Sequence, residues 1–252
     1  MLDQGILEKL SHTLPHLERE ETSRLWLLLP SFLHNFCHEN PTCLASVTEI
    51  CLVLAQHFSS LPSPPHPDLD SMAGNYISFL SGLQDHEDQT SLYQRTEIVL
   101  SVLHLLKLLT SEDTVQSVLE FLQEVLESEE LSQAYTEQGL VESLLSVSSR
   151  VEEETANLSL DVLVLLSSHP TVLPQVLSPN QDCPLWTSLL SWLSRPPSPH
   201  HLATAALLTG NISTSSSACL QVMETSAPAD VLIHLNAGNT GKVRNISISI
   251  FS

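Results

Sequence analysis

The stretch "HNFCHENPTC" at 34–43 brings His34, Cys37, His38 and Cys43 within ten residues. These are ligand types for a soft metal, and His34 and His38 share a helix face at i, i+4. A zinc site wants four ligands at defined spacing with no competing core role. Cys37 and Cys43 read better as small apolar residues packed in a core. The pairs His12/His16 and His200/His201 make no stronger case, so no metal is assigned. Catalytic signatures are equally thin. There is no G-x-S-x-G, no phosphate-binding Walker loop and no Gly-rich dinucleotide turn. Trp26, Trp186 and Trp192 lie in apolar helical runs and read as core. The expectation is a non-enzymatic protein with no catalytic residue and no cofactor.

The remaining chemistry is recognition. Between 111 and 154 stand twelve Asp and Glu and one base, Arg150. Asp113, Glu120, Glu124 and Glu127 are spaced by seven, four and three. On a helix they share one face, roughly opposite an apolar stripe. Like charges at such spacing repel by a few tenths of a kcal/mol per pair, and a basic partner would relieve that repulsion and be steered in faster. The alternative is a solvated outer face. Two asparagines form the second feature. Asn35 and Asn211 each follow an apolar run, and each stands eight residues before a cysteine, Cys43 and Cys219. A groove Asn both donates and accepts, as a bound backbone or loop requires. The alternative is an Asn that satisfies carbonyls at its own helix C-terminus.

The elements that would position these residues are helical. Apolar residues make up 42% of the 252-residue chain and aromatics 5%, with only 7 Gly, which suits many short helices better than a sheet. In 113–127 the apolar positions Val115, Val118, Leu119, Leu122 and Leu126 recur at three and four, as do Leu185, Leu189, Trp192 and Leu193 in 184–194. "DQGILEKL" (3–10) matches "EQGLVESL" (137–144), where Gly5 and Gly139 would each break the chain between a short helix and a longer one. From Asn35 to Asn211 is 176 residues, or four steps of 44, within the range of helical repeats of about 40–47 residues. The intermediate positions are Phe79, Gln123 and Ser167, so the middle repeats are degenerate. "LPSPPHPD" (61–68) and "SRPPSPHH" (194–201) read as loops. "VRNISISIF" (243–251) does not continue the helical period.

The reading is an all-α fold: an armadillo-type α-solenoid, a right-handed superhelix of about five partly degenerate repeats over 1–235. A loop insertion is expected around 61–70 and a non-repeat tail over 236–252. Each unit of such an array buries its apolar face only against its neighbours. The net charge of −20 argues against nucleic acid and for a basic protein or basic tail as partner. Five Cys in no close-spaced framework suggest reduced thiols. "MLDQGILEKL" has no basic segment and no apolar segment of a signal peptide, and "LWLLLPSFL" is far short of the ~20 residues of a membrane span. A cytosolic protein is expected, and the sequons at Asn157, Asn211 and Asn245 carry little weight.

"YTEQGLVESLLSV" (135–147), "LDVLVLL" (160–166) and the run from "LWTSLLSWLS" through "LLTGNISTSSSACLQVMETSAPADVLIHL" (185–235) resemble, in order and spacing, the smg GDP dissociation stimulator family. The similarity is clearest over 111–235 and fainter over 1–110, where "FLHNFCHENPTC" looks like an earlier repeat. The resemblance implies an armadillo-repeat protein that binds prenylated small GTPases of the Rho and Rap classes. It implies a chaperone for them and, for Rho, a guanine-nucleotide exchange factor. It places Asn211 at the groove position that contacts the GTPase, with Asn35 as its counterpart. It also places "SEDTVQSVLEFLQEVLES" at the acidic helix facing the GTPase's basic C-terminal tail. Asp113 matches one of the family's acidic positions, while Gln116 stands where another acid is expected. Nuclear, endoplasmic-reticulum or mitochondrial association besides the cytosol is a further implication. Family proteins are longer, and the tail 236–252 lies outside the resemblance. The runner-up is a generic armadillo adaptor for an extended basic peptide, without exchange activity.

Overall fold

The computed structural model describes residues 44–61, 67–83, 90–176, 184–194 and 196–214, together with 9, 10, 13, 14, 25 and 27–33. The described residues form helices joined by turns, with no strand among them. In chain order the helices are α1 (Leu44–Ser59), α2 (Leu69–Gly82), α3 (Thr90–Tyr93), α4 (Thr96–Leu108), α5 (Glu112–Val125) and α6 (Glu129–Glu137). Then come α7 (Leu140–Ser148), α8 (Glu153–Ser168), α9 (Leu173–Val176), α10 (Pro184–Ser194) and α11 (Pro199–Thr214). The fold class expected from composition is therefore present at the level of all-α. None of the described helices is long and apolar enough to cross a membrane. The chain divides into two compact units, Met1–Leu122 and Gln123–Ser252.

In the first unit α1 packs along α4. Helix α1 buries Val47, Ile50, Cys51, Leu54, Ala55 and Phe58, while α4 buries Ile98, Val99, Val102, Leu105 and Leu106. Helix α2 contributes Tyr76, whose ring stacks on Phe58 with centroids 4.5 Å apart, an arrangement that adds about 0.5–1.5 kcal/mol beyond burial. Ser101 donates its hydroxyl hydrogen to the Ile98 carbonyl, so the Tyr76 phenol donates to Ser101 Oγ at 3.0 Å. Two polar groups are thereby satisfied inside an apolar layer. Tyr93 reaches back from α3 to donate to the Leu80 carbonyl at 2.7 Å. The loop expected around 61–70 is shorter on its C-terminal side, because Pro67 and Asp68 form the turn into α2, which begins at Leu69.

In the second unit α8 is the central helix, packed against α7, α9 and α11, while α10 packs against α7 and α11. Gly139 separates α6 from α7 with φ 92°, a left-handed conformation that carries no penalty without a Cβ. The break expected at Gly139 is present, although both flanking helices have nine residues, so the expected short-then-long order is absent. Buried serines line the helix contacts. Ser132, Ser143 and Ser159 donate to the carbonyls of Leu126, Gly139 and Ala156. Small hydroxyl residues that satisfy themselves on nearby backbone leave room for close helix approach.

The same joint recurs in each unit. His104 Nε2 donates to the Leu61 carbonyl at 3.1 Å, and His169 Nε2 to the Leu126 carbonyl at 2.9 Å, both across 43 residues. Beside the first, Asp70 accepts from the Thr110 and Ser111 backbone N–H groups, which lead into α5. Beside the second, Glu129 accepts from the Thr171 backbone N–H and hydroxyl. The step of 44 read from Asn35 to Asn211 also becomes a contact in the second unit, where Asn211 meets Ser167 across 44 residues. Phe79 is buried in α2, and Gln123 is half-buried in α5.

Candidate functional site

Helix α5 forms because its apolar residues recur at the helical period. Val115, Val118, Leu119 and Leu122 are all buried, as the spacing implied, and so is Leu126 just beyond the helix end. The opposite side is acidic. Asp113, Glu120 and Glu124 are exposed, as is Glu127 in the turn that follows α5. None of these four carboxylates pairs with a Lys or Arg among the described residues. Gln116, the position where the family resemblance calls for an acid, donates its amide to Glu120 Oε1 at 2.9 Å.

Exposure alone does not distinguish a binding face from a solvated one, but helix position does. Many acids of this chain occupy first turns, where carboxylates stabilise the positive helix end by about 0.3–1 kcal/mol each. Asp70 in α2, Glu97 in α4, Glu112 and Asp113 in α5, Glu129 and Glu130 in α6, Glu142 in α7, and Glu153 and Glu154 in α8 all do so. Asp113 thus has a sufficient reason within its own helix. Glu124 does not, and Glu120 stands outside the first turn. Glu124 stands next to the last residue of α5, beside carbonyls that already carry partial negative charge, and Glu120 precedes it by four. Within α5 Glu120 is met by the Gln116 amide one turn earlier, and no such bond meets Glu124 among the described residues.

Asn211 lies in the last turn of α11 and is half-buried. Its side-chain amide donates to Ser167 Oγ on α8 at 2.7 Å, and Ser167 passes its own hydroxyl hydrogen to the Val164 carbonyl. This is a relay between two helices. The alternative weighed for Asn211, carbonyls at its own helix end, is not what this bond serves. Leu207, one turn earlier on the same side of α11, is 55% exposed. Asn211 therefore fixes α11 against α8 and stands beside an exposed apolar residue.

Asn35 falls outside the described residues, as do His34, Cys37, His38, Cys43, His12, His16 and the tail 236–252. Among the described residues no three His, Cys, Asp or Glu side chains gather as metal ligands would. His200 and His201 have other partners. His200 Nε2 meets Asp161 Oδ1 at 3.0 Å, and His201 stands edge-on to Trp192. Trp192 is buried, as expected of a core residue, and so is Cys51. The sequence reading missed Asn75, whose amide donates to the Leu27 carbonyl at 3.0 Å in the first unit. No apolar run ending in an Asn–Cys pair announces Asn75, because it sits inside α2.

No known family model matches the chain, and no curated protein matches it.

Proposed function

We propose that this chain is an armadillo-type scaffold that binds small GTPases of the Rho and Rap classes, prenylated and with basic C-terminal tails. In this reading the acidic side of α5 receives the basic tail, with Glu120 and Glu124 as its principal charges and Asp113 and Glu127 beside them. Asn211 and Leu207 line the groove on α11 against which the GTPase is oriented, and Asn35 is the counterpart of Asn211 in an earlier repeat. Exchange follows from differential binding: a scaffold that prefers the GTPase conformation holding GDP poorly shifts the population toward it and speeds GDP release. No covalent chemistry and no cofactor enters, and a cytosolic setting accords with a prenylated client that must be shielded from water.

The observation that carries the proposal is the placement of Glu124 in the last turn of α5, with Glu120 one turn before it and no described Lys or Arg pairing with either. The ordered resemblance over 111–235 supplies the identity of the basic partner. Hydrogen bonds across 39 to 44 residues, from His104 in the first unit and from His169, His200 and Asn211 in the second, accord with the repeat spacing of an armadillo stack.

Pull-down and nucleotide-release assays with three baits test the proposal. They are a prenylated Rho-class GTPase, the same GTPase lacking lipid and tail, and the free basic tail peptide. Capture and faster GDP release with the first, and weak capture of the second, support the proposal. Capture of the first with GDP release unchanged reduces it to chaperoning. Equal capture of peptide and intact GTPase favours the adaptor reading, and capture of none of the three overturns both.

A further inference from the structure

Helix α11 opens with an unusual cap. Pro199 occupies the first helical position, where a missing N–H costs nothing. Ser198 precedes it, and its Oγ accepts the His201 backbone N–H at 3.4 Å while lying 2.9 Å from His201 Nδ1. The arrangement resembles a capping box in which the third helical residue reaches back to the cap, but the side chain that reaches back is an imidazole. The ring is half-buried and stands edge-on to Trp192 of α10, with centroids 5.4 Å apart.

We propose that the His201 cap is an acid-sensitive latch that holds α11 in the second unit at neutral pH and loosens it on protonation. Three features of the geometry lead there. An imidazolium at this point lies in the first turn of α11, against the positive helix end. It loses water on the side covered by Trp192. It also stands next to His200, which approaches Asp161 at 3.0 Å and becomes a second positive charge on protonation.

The ionisable groups near His201 come from α8 and from α11 itself, which supplies His200. Helix α8 supplies Glu153, which favours the charged ring, and Asp161, which is engaged with His200. Helix α10 carries no ionisable residue. Burial is the largest influence on His201, His200 the second and Glu153 the opposing third, and together they hold its proton affinity below the ordinary value of 6.5. The sign follows from linkage. The unfolded chain binds the proton more readily than the folded one, so the contribution of this cap is intact above 6.5 and declines as pH falls below it.

Hydrogen exchange of the full chain at pH 7.5 and 5.5, corrected for intrinsic exchange rates, tests the latch. The amides of α11 are expected to lose protection by roughly threefold or more on acidification, while those of α7 change less. In His201→Gln, a residue that forms the ordinary capping box and does not titrate, the α11 loss is expected to vanish. An NMR titration of the His201 ring in the unaltered chain should give a midpoint below that of a free imidazole. Unchanged α11 protection in the unaltered chain overturns the latch. So does an equal loss in His201→Gln, or a His201 midpoint above that of free imidazole.

Discussion

Two buried hydroxyls in the second unit are satisfied very differently. Ser167 is bonded twice, receiving the Asn211 amide and donating to the Val164 carbonyl. Tyr135 is fully buried and its phenol has no hydrogen-bond partner among the described residues, while burial pushes its proton affinity above the usual phenol range. An unpaired buried hydroxyl costs about 1–3 kcal/mol, whereas removing it leaves the ring's packing in place. Tyr135→Phe is therefore expected to raise the unfolding free energy by about 1 kcal/mol in urea titrations. A clear loss of stability would show that the hydroxyl has a partner. For the relay, Asn211→Ala and Ser167→Ala should each cost about 1 kcal/mol, and the double variant should cost less than their sum. Additive losses would mean that the two side chains act separately.

Asn211 was legible as special from its place in a repeated pattern, and the step of 44 named Ser167 as the position one repeat earlier. That the two would bond was not legible, because spacing gives register and not side-chain direction. The histidine joints at His104 and His169 were invisible for the same reason. Each reaches a leucine carbonyl 43 residues away, and a backbone acceptor leaves no trace in residue identity.

Among the helices, apolar periodicity was the reliable guide. It placed the buried faces of α5 and α10, because a stripe at three and four has only one side to hide. Gly139 was equally legible, since a left-handed residue between two helices all but requires glycine. Gly139→Ala keeps φ near 92°, brings a Cβ to 3.4 Å from Glu142 Oε2, and should cost about 1–2 kcal/mol. Destabilisation near zero in chemical denaturation would show that the junction relaxes.

Glu129 makes a pH-dependent prediction at the start of α6. The Thr171 hydroxyl, then the Thr171 backbone N–H, hold its carboxyl below the ordinary value of 4.5. The stabilisation is therefore present above about that value and is lost as pH falls through the lower folded value. Glu129→Gln should flatten the acid limb of the stability profile, and an unchanged limb would place the titration elsewhere. Glu124 gives the opposite expectation. Glu124→Gln removes a negative charge from the last turn of α5 and should stabilise the chain by about 0.3–1 kcal/mol. A residue whose removal helps the fold is one retained for something other than the fold.

At the scale of the whole molecule, the chain carries −20, and its described acids stand at unlike places on their helices. Those in first turns stabilise their own helices, whereas Glu124 stands in the last turn of α5 with Glu120 one turn before it. Composition gives the acidic excess but not where each acid stands, which depends on where each helix begins and ends. The proposed function rests on Glu120 and Glu124. The most direct measurement is the affinity of the chain for a prenylated Rho-class GTPase at low and high salt, with and without the double reversal Glu120→Lys/Glu124→Lys. The account expects tight, strongly salt-dependent binding by the unaltered chain. It expects weakened binding with a flattened salt dependence in the double variant, with helix content retained by circular dichroism. Unchanged affinity and an unchanged salt slope in a folded double variant would contradict it.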